Sequence, residues 1–345
     1  MNQCHQVETL NFLENIDSQR FQQPLIHLKN SINKNNMVKV ASCSGTKYLF
    51  DKITDPELIG YKVELSTQVF SDGEMAVQYM DSIRGRDLFL FGDTAQNLTE
   101  LLLAMDGAKR SSCKSLTVIL PYYGYGRQDK KDGHRGSLGA SVMAHALQAF
   151  GANRVVSIDL HADQIQGMFQ IPFEHIKGHS VFIDYIQKNI DLNNTILCSP
   201  DAGGVHRVQK YGDKLNLPMV SINKRRDKPN SIASMELIGS VKGKNVVVVD
   251  DCADTCGTLK KATDLLIENG ALKVYCIATH PILSGNAYAN IASSKICQLI
   301  VSDTIKPSNP DIVNDRIKTV SCSPVLEKVI KNLIYDESIS QINQL

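Results

Sequence analysis

The run VVVVDDCADTCGTL, residues 246–259, drives four valines straight into two adjacent aspartates, then into a third acid and a small polar stretch. Carboxylates beside a buried strand are costly unless something uses them. In an open parallel sheet, ligands sit beyond the carboxyl ends of the strands. A loop entering a helix there offers free backbone N–H groups and a positive dipole end to a phosphate. Asp254-Thr255-Cys256-Gly257-Thr258 fits such a loop: Gly257 permits close backbone approach, and the two threonines add hydroxyl donors. It is not a Walker loop, because the chain contains no G-x-x-x-x-G-K-[ST]. Asp250 and Asp251 are placed to meet sugar hydroxyls or a magnesium ion. Helix capping would explain Asp254 or Thr258, but not the aspartate pair.

Working outward, an internal repeat contains this corner. GANRVVSIDLH (Gly151–His161) and GALKVYCIATH (Gly270–His280) share Gly-Ala, a basic residue followed by valine, and a closing histidine. A helical segment precedes each copy, Leu138–Phe150 and Leu259–Asn269, and the glycine suits the position just past its end. An apolar strand precedes each helix, Thr117–Leu120 and Val246–Val249. The offset is 119 at both Gly151/Gly270 and His161/His280 but 129 at Thr117/Val246, so the first copy carries ten further residues between strand and helix. They fall within the charged segment YGRQDKKDGHRG. The repeat predicts a domain duplication with one enlarged, cationic corner.

Further strand-like runs (Leu88–Phe91, Leu116–Leu120, Val155–Ile158, Tyr275–Ala278) alternate with helical ones, the signature of parallel α/β architecture. A chain of 345 residues is long for one core, and two domains are expected. Its 43% apolar and 21% charged content is that of an ordinary globular protein, and a net charge of +1 gives no electrostatic reason for a nucleic-acid or membrane partner. No apolar run approaches the ~20 residues of a membrane span. Nine scattered cysteines without a C-x-x-C pair suit reduced thiols in a cytoplasm, and the N-terminus has no hydrophobic signal region. Residues 1–36, rich in Asn and Gln, read as a loosely attached extension.

The 246–259 segment resembles the phosphoribosyl diphosphate (PRPP) loop of the type I phosphoribosyltransferase fold. That loop alone leaves nucleobase phosphoribosyltransferases, PRPP synthetases and related regulators open. PYYGYGRQDKKDG (Pro121–Gly133) resembles the ATP-binding flexible loop of PRPP synthetases, as do VFSDGEMAVQ (69–78), SIDLHADQIQGMF (157–169), CSPDAGGVHRV (198–208) and INKRRDKPN (222–230) in their order and spacing. The resemblance runs from about Met37 to the C-terminus. It implies two tandem phosphoribosyltransferase-like domains, each a mostly parallel sheet flanked by helices, at 37–178 and 179–345.

The same resemblance implies that ATP donates its β,γ-diphosphoryl group to the anomeric hydroxyl of ribose 5-phosphate, giving PRPP and AMP. A non-catalytic regulatory subunit is the alternative, disfavoured because His161, Asp201, Lys224 and Arg226 are all present. Implied ATP contacts are Phe70, Asp72, Glu74, Arg127, Gln128 and His161, the first three donated across a subunit interface. Implied Mg²⁺ ligands are His161 and Asp201, with Asp159 weaker, and Lys224 and Arg226 stabilise the transferring group. Ribose 5-phosphate falls to Asp250, Asp251, Asp254, Thr255, Cys256, Gly257 and Thr258. A hexamer built from dimers is implied. The sequence departs from the family pattern at Ser137, where a proline is usual, at Cys252, often Met, and in a shortened Gly92–Leu102 segment.

Overall fold

The computed structural model describes residues 37–225, 234–306 and 314–344, apart from 132 and 134, so the extension 1–36 lies outside it. After β1 (Val38–Ser42) come the short helices α1 (Lys47–Phe50) and α2 (Pro56–Gly60), then an antiparallel ribbon of β2 (Leu65–Val69) and β3 (Met75–Tyr79). β4 (Asp87–Phe91), α3 (Leu98–Arg110), β5 (Ser115–Leu120), α4 (Gly139–Ala149), β6 (Arg154–Ile158) and β7 (Phe173–Ile176) complete the first half. Its sheet has the order β1-β4-β5-β6-β7 with every pair parallel.

The chain then passes through α5 (His179–Asn189) to β8 (Thr195–Ser199), α6 (Val205–Leu215), β9 (Met219–Arg225), β10 (Ser234–Ile238), β11 (Asn245–Ala253), α7 (Gly257–Glu268) and β12 (Lys273–Pro281). α8 (Ala287–Ala292), β13 (Gln298–Ser302), β14 (Ile317–Val320) and α9 (Ser323–Ile334) follow. The second sheet runs β10-β9-β8-β11-β12-β13-β14, parallel except for the β9–β10 pair. The predicted α/β architecture with two sheets is therefore the observed one.

The valine run shows why the sheet is buried on both faces. Val246 and Val248 pack into the second half's own core with Leu259, Ala262 and Leu266 of α7. Val247 and Val249 turn the other way, into a core shared with Phe91, Ile119 and Ile158 of the first sheet. Strand alternation thus makes one short run serve two cores, and the second of them binds the halves together. Away from that core, Lys52 pairs with Asp303 at 2.7 Å and Lys331 with Asp55 at 2.9 Å, each a link between halves.

The repeat is also visible in backbone detail. Behind α4, Gly151 (φ +97°) is followed by an Ala152 N–H bonded to Leu147 O at 3.1 Å. Behind α7, Gly270 (φ +89°) is followed by an Ala271 N–H bonded to Leu266 O at 3.0 Å. Both are Schellman endings in which only glycine takes the left-handed turn without strain.

Candidate active site

β11 does not stop at the last valine. It continues through the aspartate pair, with Cys252 opposite His280 and Ala253 opposite Pro281. Only residues 254–256 then separate it from α7, and Cys256 makes the turn in the left-handed region (φ +59°). No side chain caps α7, so its first amide groups keep their capacity for an anion. Asp254 is not a cap. Its carboxylate accepts from Ser284 Oγ and from Arg127 Nη1, the latter at 2.7 Å.

That ion pair ties the two related corners together. A cavity of about 540 Å³ is lined by Asp250, Asp251, Asp254, Thr255, Cys256 and Thr258, with Gly257 alone of the predicted set outside its lining; His161, Asp201 and Arg127 share its wall. A second cavity of about 340 Å³ lies between Tyr122, Tyr125, Arg127 and Gln128 of the enlarged corner and Thr304–Lys306 of the second half. Arg127 lines both. Each volume falls in the range of small-molecule sites.

The stem of the enlarged corner is packed. Tyr123 is buried and its hydroxyl donates to Ala140 O at 2.8 Å, while the Gly124 N–H donates to Thr94 Oγ1 at 2.8 Å. Gln128 is fixed by backbone bonds to Tyr125 O and from the Ala140 N–H. Thr94 lies in the Gly92–Leu102 segment, which therefore props the corner.

A largely buried charge cluster forms part of the wall of the first cavity, which Arg207 also lines. His161 Nδ1 stands 2.7 Å from Asp251 Oδ2. Arg207 Nε donates to Asp159 Oδ1 at 3.2 Å, its Nη2 donates to Leu160 O at 3.1 Å, and Nη1 lies 3.7 Å from Asp251 Oδ1. The two neighbouring aspartates are driven apart. Burial raises Asp251, but the His161 hydrogen bond and the Arg207 charge outweigh it and hold the carboxyl well below its ordinary range. Burial and the Asp251 charge push Asp250 well above that range. The hydrogen bond to Asp251 raises the His161 imidazole above its usual value. Burial and charge thus shift the two neighbouring carboxyls in opposite directions.

Other predicted residues are placed as follows. Asp201 lies just past β8, where its Oδ1 accepts from the Gly204 N–H at 3.1 Å. Asp159 is buried at φ +43°, gripped by Arg207 and by Thr279 Oγ1, and does not line the 540 Å³ cavity. His280, the repeat's counterpart of His161, is buried with Nδ1 near Thr304 Oγ1 and Nε2 near Asp159 O, a structural histidine. Phe70, Asp72 and Glu74 sit at the exposed tip of the β2–β3 ribbon, where Asp72 Oδ1 accepts from the Glu74 N–H at 3.0 Å, and they line neither cavity. The Lys224 backbone pairs with Met235 in the β9–β10 ladder, and its side chain and all of Arg226 lie outside the described residues. Sequence reasoning gave Arg207 no role. It stands in the CSPDAGGVHRV run, but only burial distinguishes it from a surface arginine.

Comparison with known proteins identifies the family. A model of the N-terminal domain of ribose phosphate pyrophosphokinase matches residues 38–151, and one of the phosphoribosyl synthetase-associated domain matches 215–344. The ribose-phosphate pyrophosphokinase of Porphyromonas gingivalis is 41% identical over 315 residues, covering 90% of this chain and 99% of its own length. The chain belongs to the ribose-phosphate pyrophosphokinase family. Its function is the synthesis of PRPP, and the regulatory alternative is not favoured. The Chlorobaculum tepidum pyrophosphokinase is 46% identical over 277 residues, 79% of this chain and 85% of that one. A crystal structure of phosphoribosylpyrophosphate synthetase from Mycobacterium smegmatis superposes with a TM-score of 0.80 at 33% identity, covering 87% of this chain and 99% of the other.

Proposed function

We propose that the two cavities meeting at Arg127 are the donor and acceptor sites of a ribose-phosphate pyrophosphokinase. ATP occupies the enlarged corner and ribose 5-phosphate the 254–258 loop. The single observation that carries this is the Arg127–Asp254 bridge, which joins the twin corners and puts one cation on both cavity walls.

The anomeric oxygen attacks the β-phosphorus, the bond from that phosphorus to the AMP oxygen breaks, and the hydroxyl proton is released. Such transfers depend on positioning and charge neutralisation rather than covalent catalysis. The uncapped amides of α7 and the Thr255 and Thr258 hydroxyls hold the 5-phosphate. Asp250 and Asp251 meet the ribose hydroxyls, and Asp251 orients His161. Arg127 and Gln128 contact the triphosphate, and Lys224 and Arg226 stabilise the transferring group. Phe70, Asp72 and Glu74 act in a neighbouring subunit's site, in a hexamer built from dimers.

Among the described residues no three His, Cys, Asp or Glu side chains gather into a ready cation cage. Mg²⁺ keeps several waters and is usually bound through one or two carboxylates plus substrate phosphates. The His161–Asp251 bond fits such an ion, since carboxylate-oriented imidazoles are usual beside metals. His161 and Asp201 would hold the ion, which supplies positive charge to the phosphate oxygens. We divide the domains at 178/179. We place the protein in the cytoplasm, supported by the free described cysteines and by the absence, among described residues, of a helix long and apolar enough to cross a membrane.

The test is a direct assay with ATP, Mg²⁺ and ribose 5-phosphate. AMP and PRPP are expected in equal amounts. AMP release no higher than that of a Lys224→Ala control would overturn the assignment.

A further inference from the structure

Asp159 closes the first half's strand β6, yet almost everything that holds it comes from the second half. Arg207 of α6 donates to its Oδ1, Thr279 of β12 donates to its Oδ2, and His280 stands 3.0 Å from its carbonyl oxygen. Gly178 leaves just enough room, since a Cβ there would lie 2.5 Å from both Asp159 Oδ2 and Thr279 Oγ1. Arg207 is the centre of this junction. It touches Asp159 and Leu160 on one side and Asp251 on the other, and Asp251 in turn holds His161. The guanidinium hydrogen-bonds Asp159 and Leu160 and pairs with Asp251 through a fixed planar fork, a geometry an ammonium does not reproduce.

We propose that Arg207 is a positioning residue for the diphosphoryl transfer, setting the donor half's Asp159–His161 segment against the acceptor half's Asp251. The inference rests on the assignment of ATP to the first corner and ribose 5-phosphate to the second. Each substrate then finds its phosphate contacts on its own side of the junction, whereas the distance between β-phosphorus and anomeric oxygen depends on the junction itself. Loss of the fork therefore lowers kcat while leaving both KM values nearly in place. Misplacement by about 1 Å is enough for a loss of about 10²-fold.

The test compares wild type, Arg207→Lys and Asp159→Asn in the full chain, with kcat, both KM values and folded fraction measured for each. Expected are folded variants with kcat down about 10²-fold and each KM within about threefold of wild type. A double variant should be no worse than the weaker single, because both act through one contact. Wild-type kcat in Arg207→Lys overturns the proposal. So does activity that falls only with folded fraction, or failure of both variants to fold, since either makes the junction merely structural. A raised KM for one substrate with kcat retained also overturns it, in favour of direct ligand contact. Inactive wild type would instead sink the underlying assignment of the substrates.

Discussion

The two corners related by the repeat leave their helices identically and enter them differently. Behind α4 and α7 the same glycine and the same pair of backbone bonds return the chain to the sheet. Ahead of them, residues 121–138 form a long corner with a packed stem, whereas residues 254–256 form a tight turn through left-handed Cys256. Helix exits answer to packing, which tolerates little change. Strand-to-helix entrances lie where an open α/β sheet receives ligands. The two copies agree at the helix exits and differ at the entrances.

Removing Arg127, the side chain common to both cavities, should have the largest effect on this pairing. Arg127→Ala is expected to lower kcat/KM by about 10²–10³-fold, the usual loss when a charge-stabilising donor is removed. Its stability should stay within about 0.5 kcal/mol, because the Arg127 side chain is 50% exposed and surface bridges contribute little. Denaturant melts beside steady-state assays would check both halves of the statement. A large loss of stability would mean that the bridge fastens the fold rather than the chemistry.

Two glycines sharpen the contrast at smaller scale. A Cβ at Gly124 would meet the Ala95 backbone nitrogen at 2.7 Å, whereas one at Gly257 would meet nothing nearer than Thr255 Oγ1 at 3.7 Å. Gly124→Ala is therefore expected to destabilise by about 1–3 kcal/mol through overpacking. Gly257→Ala should fold as well as wild type. Equal melting midpoints for the two variants would show the long corner to be as open as the short one.

These differences explain what could be read in advance. Strands β4, β5, β6, β11 and β12 announced themselves because parallel strands buried on both faces are continuous apolar runs. The continuation of β11 through Asp250–Ala253 did not, since aspartates carry no strand signal and pairing with β12 holds them there. The ribbon of β2 and β3 showed only its turn, because half-exposed alternating strands lack an apolar run. In the site, the Asp250–Thr258 loop was legible as local chemistry. Arg207 was not, because its role comes from three acceptors distant in the chain. Asp251 was expected at the sugar, and its bonds to His161 and Arg207 depend on the docking of the two halves.

The smallest effect concerns the bridge across the corners as a function of pH. Burial raises the Asp254 carboxyl, but hydrogen bonds from Ser284 and Arg127 prevail and lower it below its ordinary value. An unfolded aspartate titrates near about 3.9. Because the folded value is depressed, the bridge contributes stability above that pH, and the contribution is lost as pH falls through the folded value. Wild type should therefore exceed Asp254→Asn in ligand-free stability by a few tenths to about 1 kcal/mol at pH 6, the range for exposed pairs. The gap should close as pH falls below about 3.9 and through the folded carboxyl's lower value. Urea melts of both proteins across that window measure it directly. A gap that does not narrow as the pH is lowered would place the difference in packing around the substituted amide rather than in charge, and the corners would then be joined by shape alone.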